Sequence, residues 1–182
     1  MHPARLLHFV SARRRETAAL LCAASAVFLS TLVSATTMMQ LSDEQMVKSS
    51  KRIVEGRVTE TRSEWNAAHN QIRTTVTIDV SQMLKGPMPA NRRLVFEQLG
   101  GQVGDIIMDI TDQPAFKVDE NVIVFLRDPS PAPTPVVGLT QGKLNVVRDP
   151  DTGILTVQGR NLSRDAFVRN ISRVVVEQEG GR

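Results

Sequence analysis

Beyond the first 35 positions the chain holds few groups able to do chemistry. Residues 36–182 have one histidine, His69, one tryptophan, Trp65, and a loose run of acids at Asp105, Asp109, Asp112, Asp119 and Glu120. A catalytic histidine needs a nucleophile to activate and an acid to orient it. The sequence sets neither beside His69, and no enzyme is expected. A hydrolase built on carboxylates alone stays open at this level, because any two acids can meet in space. Hard cations take several carboxylate oxygens, but the five acids match no cation-loop spacing and read as surface charge. Asp149-Pro150-Asp151-Thr152-Gly153 starts like a calcium loop. Pro150 and the lack of a bidentate acid downstream make it a hairpin turn instead. Gly100-Gly101-Gln102-Val103-Gly104 invites a phosphate cradle. It lacks the Gly-Lys-Ser/Thr step and a following helix, so it reads as a tight connection between strands. No cofactor and no metal are expected.

Contact chemistry remains. Ser63 to Gln71 reads as a polar hairpin loop carrying Trp65, Asn66 and His69, with Arg62 at its approach. Rigid aromatics in loops anchor partners, which makes these four residues the candidate contact site. The alternative is that Trp65 folds back over the rim of the domain.

Charge and cysteine usage narrow the classes further. Residues 1–35 read as a signal peptide. Arg5, Arg13, Arg14 and Arg15 precede an apolar run from Thr17 to Val33, and Val33-Ser34-Ala35 is a small-x-small cleavage site. The alternative is a retained membrane anchor, since about 20 apolar residues span a bilayer. The leader carries four arginines and one glutamate, so 22 basic and 19 acidic residues become 18 of each in residues 36–182. A neutral domain gives no argument for nucleic acid, and membrane contact is expected only through an uncleaved leader. The single cysteine, Cys22, lies in the leader, so a hydrophobic core must hold the remaining 147 residues without a disulfide. A periplasmic or secreted location follows.

The elements that must position the loop are mostly strands. From Ile72 to Val80, Ile72, Thr74, Val76, Ile78 and Val80 share one face, while Arg73, Thr75, Thr77 and Asp79 share the other. The alternation slips at Ser81-Gln82, predicting a bulge or a bend, and Lys85-Gly86-Pro87 ends the strand. Arg52 to Arg62 reads as a preceding strand in which Gly56 marks coiling or close backbone approach. Further strands are expected at Arg92–Leu99, Ile106–Ile110 and Asn121–Arg127, the last apolar on both faces and so covered on both. Prolines at 129, 131, 133 and 135 stiffen a loop. Val136–Leu139 and Gly142–Arg148 read as a strand pair, followed by Ile154–Gln158. A short helix over Leu41–Ser50 follows a tail at 36–40, with Ser42 and Gln45 at capping-box spacing. A second helix starts after Ser163 and carries Phe167, Ile171, Val174 and Val175 on one stripe. Glu177–Arg182 reads as a frayed tail.

The run Ile53-Val54-Glu55-Gly56-Arg57-Val58, the alternating Ile72–Val80, Leu84-Lys85-Gly86 and the apolar Val122–Leu126 together resemble the OB-fold module of netrins and tissue inhibitors of metalloproteinases. Uncharacterised exported bacterial proteins share the pattern. The resemblance covers about residues 41–148. It implies a mainly β domain over 36–182: a small OB-like barrel with a short N-terminal helix and a C-terminal helix. In the inhibitors an N-terminal cysteine reaches the protease zinc and disulfides tie the barrel. With Cys22 the only cysteine, that mechanism transfers to no residue here. The expectation left is an exported, non-catalytic binding module that meets another extracytoplasmic protein, such as a peptidase, through its loops. The alternative is an oligosaccharide-binding barrel, for which the chain supplies few aromatic rings.

Overall fold

Two long strands organise the chain in its computed structural model, which describes residues 40–127 and 134–180. The expected leader at 1–35, the tail at 36–39 and most of the proline-rich loop lie outside those residues. Strand β1 (Arg52–Trp65) pairs antiparallel with β2 (Ile72–Lys85) along its whole length. On β2, Ile72, Thr74, Val76, Ile78 and Val80 are buried while Arg73 and Asp79 are exposed; Thr77, on the expected outer face, is only 5 % exposed. The slip falls where the pattern breaks. Val80 faces Gly56 and Gln82 faces Glu55, so Ser81 is the extra residue of a bulge. Two further register shifts, beside Ile53 and beyond Val58, bend the pair again, and bulges raise local twist.

The remaining strands are β3 (Arg93–Leu99), β4 (Gly101–Val103), β5 (Ile106–Met108), β6 (Asn121–Leu126), β7 (Lys143–Arg148) and β8 (Leu155–Val157). Six of them form one antiparallel sheet in the order β3-β2-β1-β6-β7-β8. Its edges are β3 and β8, and among the described residues no ladder joins them, so the sheet is open. The expected fourth strand pairs elsewhere: β4 and β5 form a ribbon of their own. Gly101 (φ 132°) lets that ribbon cross the main sheet closely, since an added Cβ would lie 2.2 Å from Thr74 Oγ1 and 2.4 Å from Ser63 Oγ.

Both faces of the sheet carry core. On the outer face Ile53, Leu84, Ile123, Phe125, Leu144, Val146 and Val157 pack beneath two helices. These are α1 (Asp43–Ser49) and α2 (Arg164–Gly180). Ser42 and Gln45 close the expected capping box on α1, which buries Met46 and Val47. On α2, Ser163 Oγ accepts the Ala166 N–H at 3.3 Å, and Phe167, Val168, Ile171, Val174 and Val175 are buried. On the inner face Val54, Val58, Val76, Ile78, Val80, Leu94, Phe96, Val122, Val124 and Leu126 bury one another with Phe116 and Val136. β6 thus feeds both clusters, as its two apolar faces require.

Expected boundaries move most at three places. β1 continues three residues past Arg62, because Ser63, Glu64 and Trp65 pair with Thr74, Arg73 and Ile72. Val136–Leu139 is not a strand. Val136 makes one isolated bridge to Leu126, and Gly138 (φ 65°) and Leu139 (φ 57°) turn the chain into a 3-10 segment at Leu139–Gly142. The expected tail from Glu177 is helical to Gly180, tied where Gln178 Nε2 donates to Glu44 O at 3.2 Å. Among the described residues, no helix is long and apolar enough to cross a membrane.

Candidate functional site

The β1–β2 turn is knitted by one side chain. Asn66 Oδ1 accepts the Asn70 N–H at 3.1 Å and the Gln71 N–H at 3.2 Å, while its Nδ2 donates to Asn70 Oδ1 at 2.8 Å. Its backbone N–H reaches Gln71 O at 2.8 Å, and its carbonyl accepts the His69 N–H at 2.9 Å. Asn66 therefore fixes a six-residue turn in which His69 takes φ 53°. The His69 ring stacks on Trp65 with centroids 6.2 Å apart and planes 29° apart. Trp65 itself is half-buried at the end of β1, opposite the fully buried Ile72, and not within the loop. The structure gathers Trp65, Asn66 and His69. Arg62 stands apart: strand alternation puts it beside Glu64, with which it pairs at 3.2 Å on an exposed surface.

The acids weighed as cation ligands are dispersed or occupied. Asp119 pairs with Arg57 at 2.8 Å and Glu120 with Lys143 at 2.6 Å. Burial alone would raise the Glu120 pKa, but the Lys143 hydrogen bond and charge and the Lys117 N–H outweigh it and hold the carboxyl below its ordinary value. Asp149 caps its own hairpin. It accepts the N–H and the hydroxyl of Thr152, each at 2.8 Å, and these hold its carboxyl below the usual range. Among the described residues no group of three histidines, cysteines or acids is placed to hold a metal ion.

A second place, not marked by any sequence motif, lies on the outer face of the sheet. There a groove of about 430 Å³ opens beside the start of α2, lined by Glu55, Arg57, Asp79, Arg92, Arg148 and Leu155 among others. Gly56 forms part of its floor. A Cβ at Gly56 would lie 2.2 Å from Asp79 O, so only glycine lets β1 approach β2 this closely. Arg92 is set by a strained turn. Asn91 (φ 58°) and Arg92 (φ 54°) are consecutive left-handed non-glycine residues, a conformation that must be over-determined by its surroundings. The Arg92 guanidinium supplies part of that by donating to Val80 O at 3.0 Å and Ser81 O at 2.8 Å, the carbonyls flanking the bulge. At the helix end, Arg164 grips Glu55 with two hydrogen bonds, at 2.7 and 2.5 Å, and reaches Gln82 at 3.0 Å. The hydrogen bonds to Glu55 and Asp165 outweigh burial and push the Arg164 pKa above its ordinary value. Glu55, only 8 % exposed, is thereby neutralised. The lining residues include no histidine or cysteine, and the Ser81 hydroxyl donates to Glu55 O at 3.0 Å. Its lining residues include no nucleophile–base pair.

Comparison with protein-family models, with curated proteins and with solved structures returns no match.

Proposed function

We propose that this chain is an exported, non-catalytic binding module of OB-like design that contacts another extracytoplasmic protein, such as a peptidase, through its β1–β2 turn. One observation carries the reading: the hydrogen bonds of Asn66 tie together the turn that presents the stacked Trp65–His69 pair. A pre-ordered aromatic turn loses little conformational freedom on binding, which favours a contact role. The OB-like part draws support from the three register shifts in β1–β2 and from an inner core made largely by the sheet's own side chains. Export and a cleaved leader rest on the basic and apolar pattern of residues 1–35. The oligosaccharide alternative has less behind it. The outward positions of β3 are Arg93, Val95 and Glu97, and those of β2 include Arg73 and Asp79, with no ring on which a sugar could stack.

The test is capture of extracytoplasmic proteins on the purified chain, identification of what is retained, and reconstitution with the purified partner. Trp65→Ala is expected to weaken that reconstituted complex by at least about 2 kcal/mol, the scale of a hot-spot aromatic, while the far-ultraviolet circular dichroism stays unchanged. Equal affinity of the variant and the parent would remove the turn from the interface.

A further inference from the structure

We propose that the outer-face groove is a binding site for a small zwitterion with an apolar body, of the size of an amino acid or a short peptide. Three arginines enter it, and each is anchored by only part of its guanidinium. Arg57 gives Nη2 to Asp119 at 2.8 Å, Arg92 gives Nε and Nη2 to the bulge carbonyls, and Arg148 gives Nη1 to Gly153 O at 2.6 Å. Anchoring fixes where the unused donors stand, and Arg148 keeps its Nε and Nη2 edge, the geometry that takes a carboxylate in two parallel bonds. The charge in the groove is incompletely balanced. Glu55 is already held by Arg164, and Asp119 by Arg57. An anionic group is therefore the first requirement of a ligand.

Asp79 supplies the second. It lies opposite Arg57 on one neighbouring strand and opposite Arg93 on the other, yet pairs with neither. Its carboxylate lines the groove with no hydrogen bond or ion pair among the described residues. A ligand ammonium would satisfy it. Val146 and the 37 % exposed Leu155 form an apolar wall for the ligand's body. A volume of about 430 Å³ falls at the small end of ligand sites. Arg92 enters from a left-handed turn with Asn91 (φ 54° and 58°), backbone of a kind that clusters at ligand clamps.

The full chain, labelled with nitrogen-15, is titrated with L-leucine, alanylleucine, N-acetyl-L-leucine, L-leucinamide and inorganic phosphate. The expected result is saturable shifts at the amides of Arg57, Asp79, Asn121 and Arg148 with leucine or alanylleucine. The tighter of the two names the source, a free amino acid or a peptide. N-acetylleucine and leucinamide, each lacking one charge, should bind at least about tenfold more weakly, the scale of one charge-assisted hydrogen bond. Asp79→Asn should abolish the preference for leucine over N-acetylleucine, and Arg148→Gln the preference over leucinamide, each with the rest of the amide spectrum in place. Phosphate or N-acetylleucine binding as well as leucine would overturn the proposal, as would shifts outside the groove, no saturable shift with any probe, or variants that keep the parent's preferences. Trp65→Ala should leave all these titrations unchanged, which separates this site from the turn.

Discussion

One face of one strand passes from core to binding surface in two steps. Along the outer side of β1, Ile53 is fully buried, Glu55 is 8 % exposed, and the Arg57 side chain is 59 % exposed. The neighbours change in parallel. Opposite them on β6 stand Phe125, Ile123 and Asn121, and on β2 Lys85, Gln82 and Asp79. The two halves differ in what lies above them. Over Ile53 the sheet is covered by α2, whose Phe167 and Ile171 belong to the same cluster. Arg164 is where that helix begins, and beyond it the sheet face is the open groove. The first residue of the helix marks the line between hydrophobic burial and polar recognition, and the Glu55–Arg164 pair sits on that line.

Substitutions on either side of the line test the contrast. The largest effect is expected in the covered half. Phe167→Ala should cost about 3–5 kcal/mol in urea unfolding, the scale of a deleted core phenyl; a loss under about 1 kcal/mol would show that this half is not close-packed. On the line itself, Arg164→Ala leaves the buried Glu55 carboxylate without its cation and should cost about 3 kcal/mol. Replacing both partners, Glu55→Leu with Arg164→Leu, should restore most of that loss. If the double variant unfolds as readily as the single, the pair does more than balance charge. In the open half, Arg57→Ala breaks an exposed ion pair and should change stability by no more than about 0.5 kcal/mol. A larger loss would make the groove part of the fold's support.

What was legible in the sequence was what neighbours in sequence determine. The alternation from Ile72 to Val80, the bulge at Ser81, the capping box at Ser42 and Gln45, and the stripe from Phe167 to Val175 each depend on residues a few positions apart. Elements fixed by partners were harder to read. Ser63, Glu64 and Trp65 look like loop, yet the ladder to β2 makes them strand. Val136-Val137 looks like strand, yet the left-handed backbone at Gly138 and Leu139 ends it after one bridge. Sheet closure is still less local, since it depends on how far three register shifts turn the sheet. Within the candidate contact residues, Trp65, Asn66 and His69 meet because their turn is short, whereas Arg62 is separated by strand parity. The groove had almost no signature. Arg57, Asp79, Arg92 and Arg148 are single polar residues with no shared spacing, and only Gly56 inside a strand hinted that backbones would meet there.

The outer core has an implication for the order in which the chain can fold. Phe167 and Ile171 share a cluster with Met46, Val47 and Ile53, more than a hundred residues earlier in the sequence. A chain made from its N-terminus therefore holds β1, β2 and β6 ready long before α2 can complete their outer cover. Contacts of such long sequence separation are slow to form, so until residues 164–180 have emerged the nascent sheet keeps an oily side that a chaperone can grasp.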